Sequence, residues 1–303
     1  MLLFLGWLLK SKSQNIIYTT IISVPVVIVF SPFVKMFPVG LGLNMLSSGV
    51  FFTVLLFVFL VPVFYNFRNT KKLAWLFFGL SLVLLVISSF KSNYSDKNKL
   101  PNSILYIVDS NTNKAYWASY NQKADAFTKQ FLGENPTQGG LDTNIFSSKY
   151  KTKINLIAPA ELKEFKKPVI SLVKDTIVGN ERLLTLQIES LRNANRIEVL
   201  AKTPITFSTF TVNRESFTRE PDIKANFYVE KGTVMSYFFT EENEVVEINF
   251  SINKKQKIAF DVIEAKYDLF SNSQFSINPR LNYMMPMPFV LNDATVIKTT
   301  INL

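Results

Sequence analysis

"PNSILYIVDSNTNKAYWASY", residues 101–120, decides how the rest of the chain is read. Its two halves alternate or run apolar, rich in β-branched and aromatic residues, around a polar break at residues 111–113. That is the pattern of two antiparallel strands joined by a short turn. Working outward, the sequence before this hairpin is built for lipid and the sequence after it is built from strands. The expected architecture is therefore a membrane α-helical segment of three spans followed by an all-β sandwich domain with one or two short helices.

Upstream, residues 16–34, 43–65 and 73–90 carry no charge and each comes close to the ~20 residues a helix needs to cross the hydrocarbon core. Residues 1–9, "MLLFLGWLL", stop at Lys10, too short to cross and without the basic start of a signal peptide. They read as a partial span whose beginning lies before this chain, or as an interfacial segment. Lys10 and Lys12 precede the first span, Lys35 alone follows it, and Arg68, Lys71 and Lys72 lie between the second and third. The positive-inside rule then puts the first and third of these loops in the cytoplasm and the hairpin outside. Pro25, Pro32 and Pro62 are read as packing residues, which membrane helices tolerate. Lys35 is expected to snorkel to the interface. "GLGLN", residues 40–44, lacks the lysine of a phosphate loop and reads as a turn between helices.

Downstream, residues 91–100 form a polar juxtamembrane linker closing near Pro101, and residues 101–303 form the sandwich. After the hairpin come "VISLVKDTI" and "RLLTLQIES" around Gly179, then "RIEVLAK", "ITFSTFTVN", "ANFYVEK", "VMSYFFT", "VVEINFSI" and "KIAFDVIEAKY". Each is short and bounded by turn residues, as in a sandwich. One helix is expected over residues 123–132, where Phe127 and Phe131 share a face at the i, i+4 interval. "APAELKEFKK", residues 158–167, is a second candidate for a short helix or a loop.

Charge and composition exclude several functions. Six of the 33 basic residues, and no acidic ones, lie in residues 1–90, leaving 27 basic against 23 acidic residues beyond, a net +4 without a basic block. Nucleic acid is therefore not an expected partner. The chain has no histidine and no cysteine. Imidazole triads, HExxH zinc sites and thiolate chemistry are excluded for this chain, and it is expected to be non-catalytic with no cofactor of its own.

Four stretches hold candidate site residues. Arg192 and Arg196 in "SLRNANR" are the candidate binding surface, able to grip an anion, against the plainer reading of a turn with salt-bridged or solvated arginines. Met284, Met285 and Met287 in "YMMPMP" could hold a soft metal such as Cu(I). Against that, methionine is a common gap-filler, and the two prolines suggest a terminal segment strapped across the sandwich. Glu241, Glu242 and Glu244 could bind calcium but lack the spacing of a calcium loop and read as a solvated turn. Asp109 and Asp125 form a conceivable carboxylate pair, but nothing in the sequence brings them together.

Three stretches carry a family resemblance. Residues 101–133, "PNSILYIVDSNTNKAYWASYNQKADAFTKQFLG", resemble the segment that follows the last span in large multi-pass zinc aminopeptidases related to vacuolar membrane protease and the endoplasmic reticulum metallopeptidase. "LTLQIESLRNANRI" is similar to that family's strand and turn at Arg192 and Ala194, with Asn193 where glycine is usual. "MMPMPFVLNDATVIKTTI" resembles its terminal segment at Met285, Pro286, Asp293, Thr295 and Val296. The resemblance implies a chain equivalent to the family's last spans plus its outer C-terminal domain, as a fragment or a split relative. In the family the zinc peptidase domain precedes the spans and uses His, Asp and Glu, so no metal position carries over. Zinc is expected only in a separate peptidase domain. The implied partners are the lipid bilayer and that zinc peptidase domain or its separate chain. The Lys, Asn, Ile and Phe bias suggests a bacterium, and hence a multi-pass protein of the inner membrane with its C-terminal domain extracytoplasmic. The alternative expectation is a free-standing membrane-tethered envelope binding module that recognises glycan, peptide or protein.

Overall fold

The computed structural model describes residues 16–41, 46–65, 70–91, 94–139, 152–216 and 227–303. Residues 1–9, Lys10, Lys12, Arg68 and part of the 40–44 turn lie outside them. The chain divides into two compact units, Met1–Asn93 and Tyr94–Leu303.

Among the described residues the first unit holds three helices, α1 (Ile16–Leu41), α2 (Leu46–Tyr65) and α3 (Thr70–Lys91). All three are long and apolar enough to cross a membrane, which makes the chain an integral membrane protein. α1 runs past the expected end of the first span, so Lys35 sits within its last turns. α1 and α2 pack through phenylalanines. Phe52 lies 5.2 Å from both Phe33 and Phe37, and Phe30 lies 5.4 Å from Phe59. The hydroxyls of Ser23 and Thr53 donate back to Thr19 O and Gly49 O, satisfying themselves where water is absent.

The second unit is built from strands. Its large sheet has the order β12-β8-β14-β16-β2-β3-β5-β4, from Gly232–Phe238, Arg196–Ala201, Ala259–Lys266, Ala294–Asn302, Leu105–Asp109, Lys114–Ser119, Leu156–Ala160 and Thr137–Gln138. Its small sheet has the order β10-β9-β13-β7-β6, from Glu215–Ser216, Ile205–Val212, Val245–Asn253, Glu181–Glu189 and Val169–Val178, with β11 (Phe227–Val229) also on β9. A parallel pair joins β1 (Leu100–Asn102) to β15 (Met284–Pro286).

One core lies between the sheets. Leu184, Leu186 and Ile188 of β7, Phe207 of β9 and Phe250 of β13 pack against Val199 of β8 and Phe260 and Val262 of β14. The rest of the large sheet is covered on both faces. Ile104, Tyr106 and Val108 share a cluster with Phe127, Leu132, Phe165 and Phe275 on one side, while Leu105 and Ile107 share one with Val296 and Ile263 of the same sheet and with Leu291 on the other. Burial on both sides explains why "ILYIV" is a continuous apolar run rather than an alternation.

The opening hairpin is β2 and β3, with Asp109 opposite Lys114 and Asn113 in the left-handed region at φ 51°. One expectation is corrected. The helix expected over 123–132 is a single short turn, α4 (Lys129–Leu132), because the Asp125 carboxylate takes the amides of Phe127 and Thr128 and holds a separate turn there. Residues 158–167 take the loop alternative: they finish β5 and continue as an extended loop. The closing segment is more than a strap, since β16 is a central strand, antiparallel to β14 and parallel to β2.

Candidate functional site

Between β7 and β8 the chain turns through Asn193, whose φ of 51° an asparagine tolerates. This turn aims Arg192 inward. Its Nε donates to Glu264 Oε2 at 3.1 Å, its Nη1 to Thr295 Oγ1 at 2.5 Å and its Nη2 to the Thr295 carbonyl at 2.9 Å. Glu264 is wholly buried, and its other oxygen accepts from the Ser190 hydroxyl, which in turn accepts the Ala194 amide at 2.8 Å. Thr295 passes the network to Asp268 at 2.6 Å. A buried carboxylate needs a cation and further donors beside it, and this arrangement supplies both.

A second arginine, Arg280, carried no signal in the sequence. Its two terminal nitrogens grip Asp293 at 2.7 and 2.6 Å, its Nε donates to Asn102 Oδ1 at 2.5 Å, and its plane lies over Phe127 at 4.5 Å. Asn102 is fully buried, and its carbonyl accepts from the Met287 amide and from Asn292 Nδ2. Next to it, Ser103 accepts the Tyr120 amide at 2.8 Å and its own amide donates to Asn121 Oδ1 at 3.0 Å. The "PNS" tripeptide at 101–103 is thus the hub where the hairpin meets the closing segment.

Arg196 is used in the same way. It pairs with the fully buried Glu198, donates to Ser236 Oγ at 3.0 Å and stacks over Phe238 at 4.9 Å. The nearby Tyr120 hydroxyl is buried, with no hydrogen-bond partner among the described residues. Its ionisation is pushed well above the usual phenol range by burial first and then by the Glu198 charge. Arg192 and Arg196 therefore serve as framework cations, engaged by buried carboxylates on opposite faces of the large sheet.

The other weighed residues are dispersed. Met284 is buried with its sulfur accepting from Asn102 Nδ2 at 3.4 Å, while Met287 packs against the separate cluster on the other face. Their thioethers do not converge, and Met285 sits between them on β15, opposite Pro101. Asp109 accepts the amides of Asn111 and Thr112 as a turn cap, and Asp125 caps the turn before α4. Glu244 accepts from the Tyr237 hydroxyl and the Thr240 amide, closing the turn between β12 and β13. The Tyr237 bond, ahead of the backbone amides, holds its carboxyl below the usual range. Among the described residues no three acidic side chains gather as a metal cluster.

An open concavity lies elsewhere, where the loop after β5 passes over the ends of β2 and β16. It encloses about 550 Å³, lined by the apolar Val108, Ile297 and Phe165 and by Lys163, Lys166 and Lys167 with the single acid Glu164 among them. Lys163 pairs with Glu161 at 2.7 Å and Lys167 donates to the Ser110 carbonyl at 3.3 Å. Lys166 is exposed and makes no ion pair among the described residues. Such a cleft suits an anionic group carried on an apolar body.

No protein-family model matches this chain, and no curated protein is significantly similar to it. Fold and geometry define a membrane-anchored β-sandwich whose interior charges are spent on architecture.

Proposed function

We propose that the chain is a non-catalytic, membrane-anchored accessory region of a zinc aminopeptidase-like membrane protease, positioning or capping a peptidase domain carried elsewhere on the extracytoplasmic side of a bacterial inner membrane. One observation supports it above the rest. The residues that carry the family resemblance, far apart in sequence, gather into two hydrogen-bonded centres: Arg192 on Thr295, and Asn102 with Asp293 on Arg280. On this reading the resembling positions matter for what they hold together, which supports a relationship in the framework of the domain rather than in a catalytic site.

The test is to incubate the purified full chain in detergent with zinc and a panel of fluorogenic aminoacyl peptides. No hydrolysis is expected, and chelator-sensitive turnover would overturn the proposal. The lysine-lined cleft favours a second reading, a free-standing binding module of the envelope. A His- and Asp-bearing peptidase sequence encoded immediately upstream selects the first reading, and an unrelated neighbour selects the second.

A further inference from the structure

Among the described residues, β6 is the outer strand of the small sheet, with β7 as its one neighbour. Of its ten residues nine are exposed and Ile170 is half-buried, so neither face is covered. Val169, Leu172, Val173, Ile177 and Val178 are between 41% and 62% exposed. The outer row of amides and carbonyls on such a strand is a template for another strand. Edges are usually blunted by charge. Here Lys174 is the one cation on the strand, and Asp175 is held by Arg182 at 2.8 and 2.6 Å.

The strand's own sequence identifies what pairs with it. The two ends of "VISLVKDTIV" read alike in opposite directions, VIS at one end and TIV at the other, around a centre in which Leu172 and Val173 mirror Asp175 and Lys174. Antiparallel pairing with a second β6 sets Val169 opposite Val178, Ile170 opposite Ile177, and Ser171 opposite Thr176. In a regular strand the members of each such pair point to opposite faces, and the match would fail. β6 is not regular. Its register against β7 shifts between Leu172 and Lys174, making Val173 the extra residue of a bulge. Ile170, Leu172, Asp175 and Ile177 consequently lie opposite Ile188, Leu186, Leu184 and Arg182 of β7, all on one face. Val169, Ser171, Thr176 and Val178 lie opposite Glu189, Gln187, Leu183 and Glu181 on the other. The bulge thus brings each apolar or hydroxyl pair onto a common face.

We infer that β6 pairs antiparallel with β6 of a second copy of this chain, about a twofold axis at the bulge. A twofold contact is self-complementary and closed, so it covers the β6 edge of both copies. The two Lys174 side chains flank the axis and repel. Pairing therefore strengthens as salt rises, the reverse of a charge-driven contact.

The chain has no cysteine, so single cysteines report the register. Full-length Val169→Cys and Val178→Cys chains, separately tagged, are produced alone and together in one membrane and oxidised with copper phenanthroline. In the dimer the two positions 169 lie roughly 30 Å apart, far beyond the ~7 Å a disulfide spans, whereas 169 and 178 face each other. The expected result is at least tenfold more cross-linked dimer in the mixed sample than in either alone, reduced at least fivefold by Ile177→Glu in both chains. Equal yields in all three samples, or none in the mixture, overturn the inference. So does quenching of a dye on either cysteine by spin-labelled lipid without cross-linking, which would assign the edge to a lipid surface. All three positions are exposed, and circular dichroism of each variant confirms that the sheets are intact.

Discussion

A guanidinium taken out of water must regain its hydrogen bonds, and Arg192 does so on Glu264 and Thr295. Removing one partner leaves the other charged and buried, a change that costs about 3–5 kcal/mol. Arg192→Ala in the full chain should therefore lower the midpoint of thermal loss of β-sheet circular dichroism by roughly 10 °C. Arg192→Met with Glu264→Leu should recover most of that loss, because no charge is then stranded. A single variant with an unchanged midpoint would mean that water reaches Glu264. The sequence marked Arg192 and Arg196 as unusual because two cations stand in a short polar turn. A turn with salt-bridged arginines was legible, and Glu198 lies two residues from Arg196, but the partner of Arg192 was hidden, since Glu264 lies over seventy residues further on, and Arg280 and Asn102 sit in stretches with no local pattern at all. Long-range pairing of this kind leaves no trace in spacing.

At the scale of elements, strands bounded by turn residues were legible because alternation and β-branching mark a half-covered sheet. β5, "LIAPA", carries two alanines and a proline, and it is a strand because β3 and β4 pair with it. α4 was overread because Phe127 and Phe131 do meet, at 5.4 Å, without a helix spanning both. Turn chemistry also has a consequence in solution. The Glu244 carboxyl titrates below its unfolded value because the ionised form accepts from Tyr237 and from the amides of Thr240 and Glu241. A lowered carboxyl contributes stability that is complete above the unfolded value of 4.5 and is lost as pH falls through the folded one. Glu244→Gln should thus be slightly less stable than the native chain at pH 7, by about 1 kcal/mol or less for so accessible a group. The gap should close on acidification through the carboxylate range, as followed by denaturant midpoints at stepped pH. A gap that widens in acid would reverse the assignment.

For the whole molecule, the division into helices and sheets was legible from charge alone, because lipid admits no carboxylates and residues 1–90 contain none. Sidedness rests on fewer residues. Three spans put the two ends of the helical segment on opposite sides, and Arg68, Lys71 and Lys72 outnumber Lys35, which favours keeping the loop between the second and third spans in the cytoplasm. Thr112, in the exposed turn of the first hairpin, is then expected on the outer side and Lys72 at the start of α3 on the inner side. In a background without native thiols, Thr112→Cys should react with a membrane-impermeant maleimide from the outer side of intact cells. Lys72→Cys should react only after the membrane is opened. The opposite pattern would invert the orientation and remove the extracytoplasmic docking role with it. Changing Arg68, Lys71 and Lys72 to serine in the Thr112→Cys chain tests the cause as well as the outcome. With the basic excess gone, labelling from outside should fall, because a share of the molecules inserts the other way round.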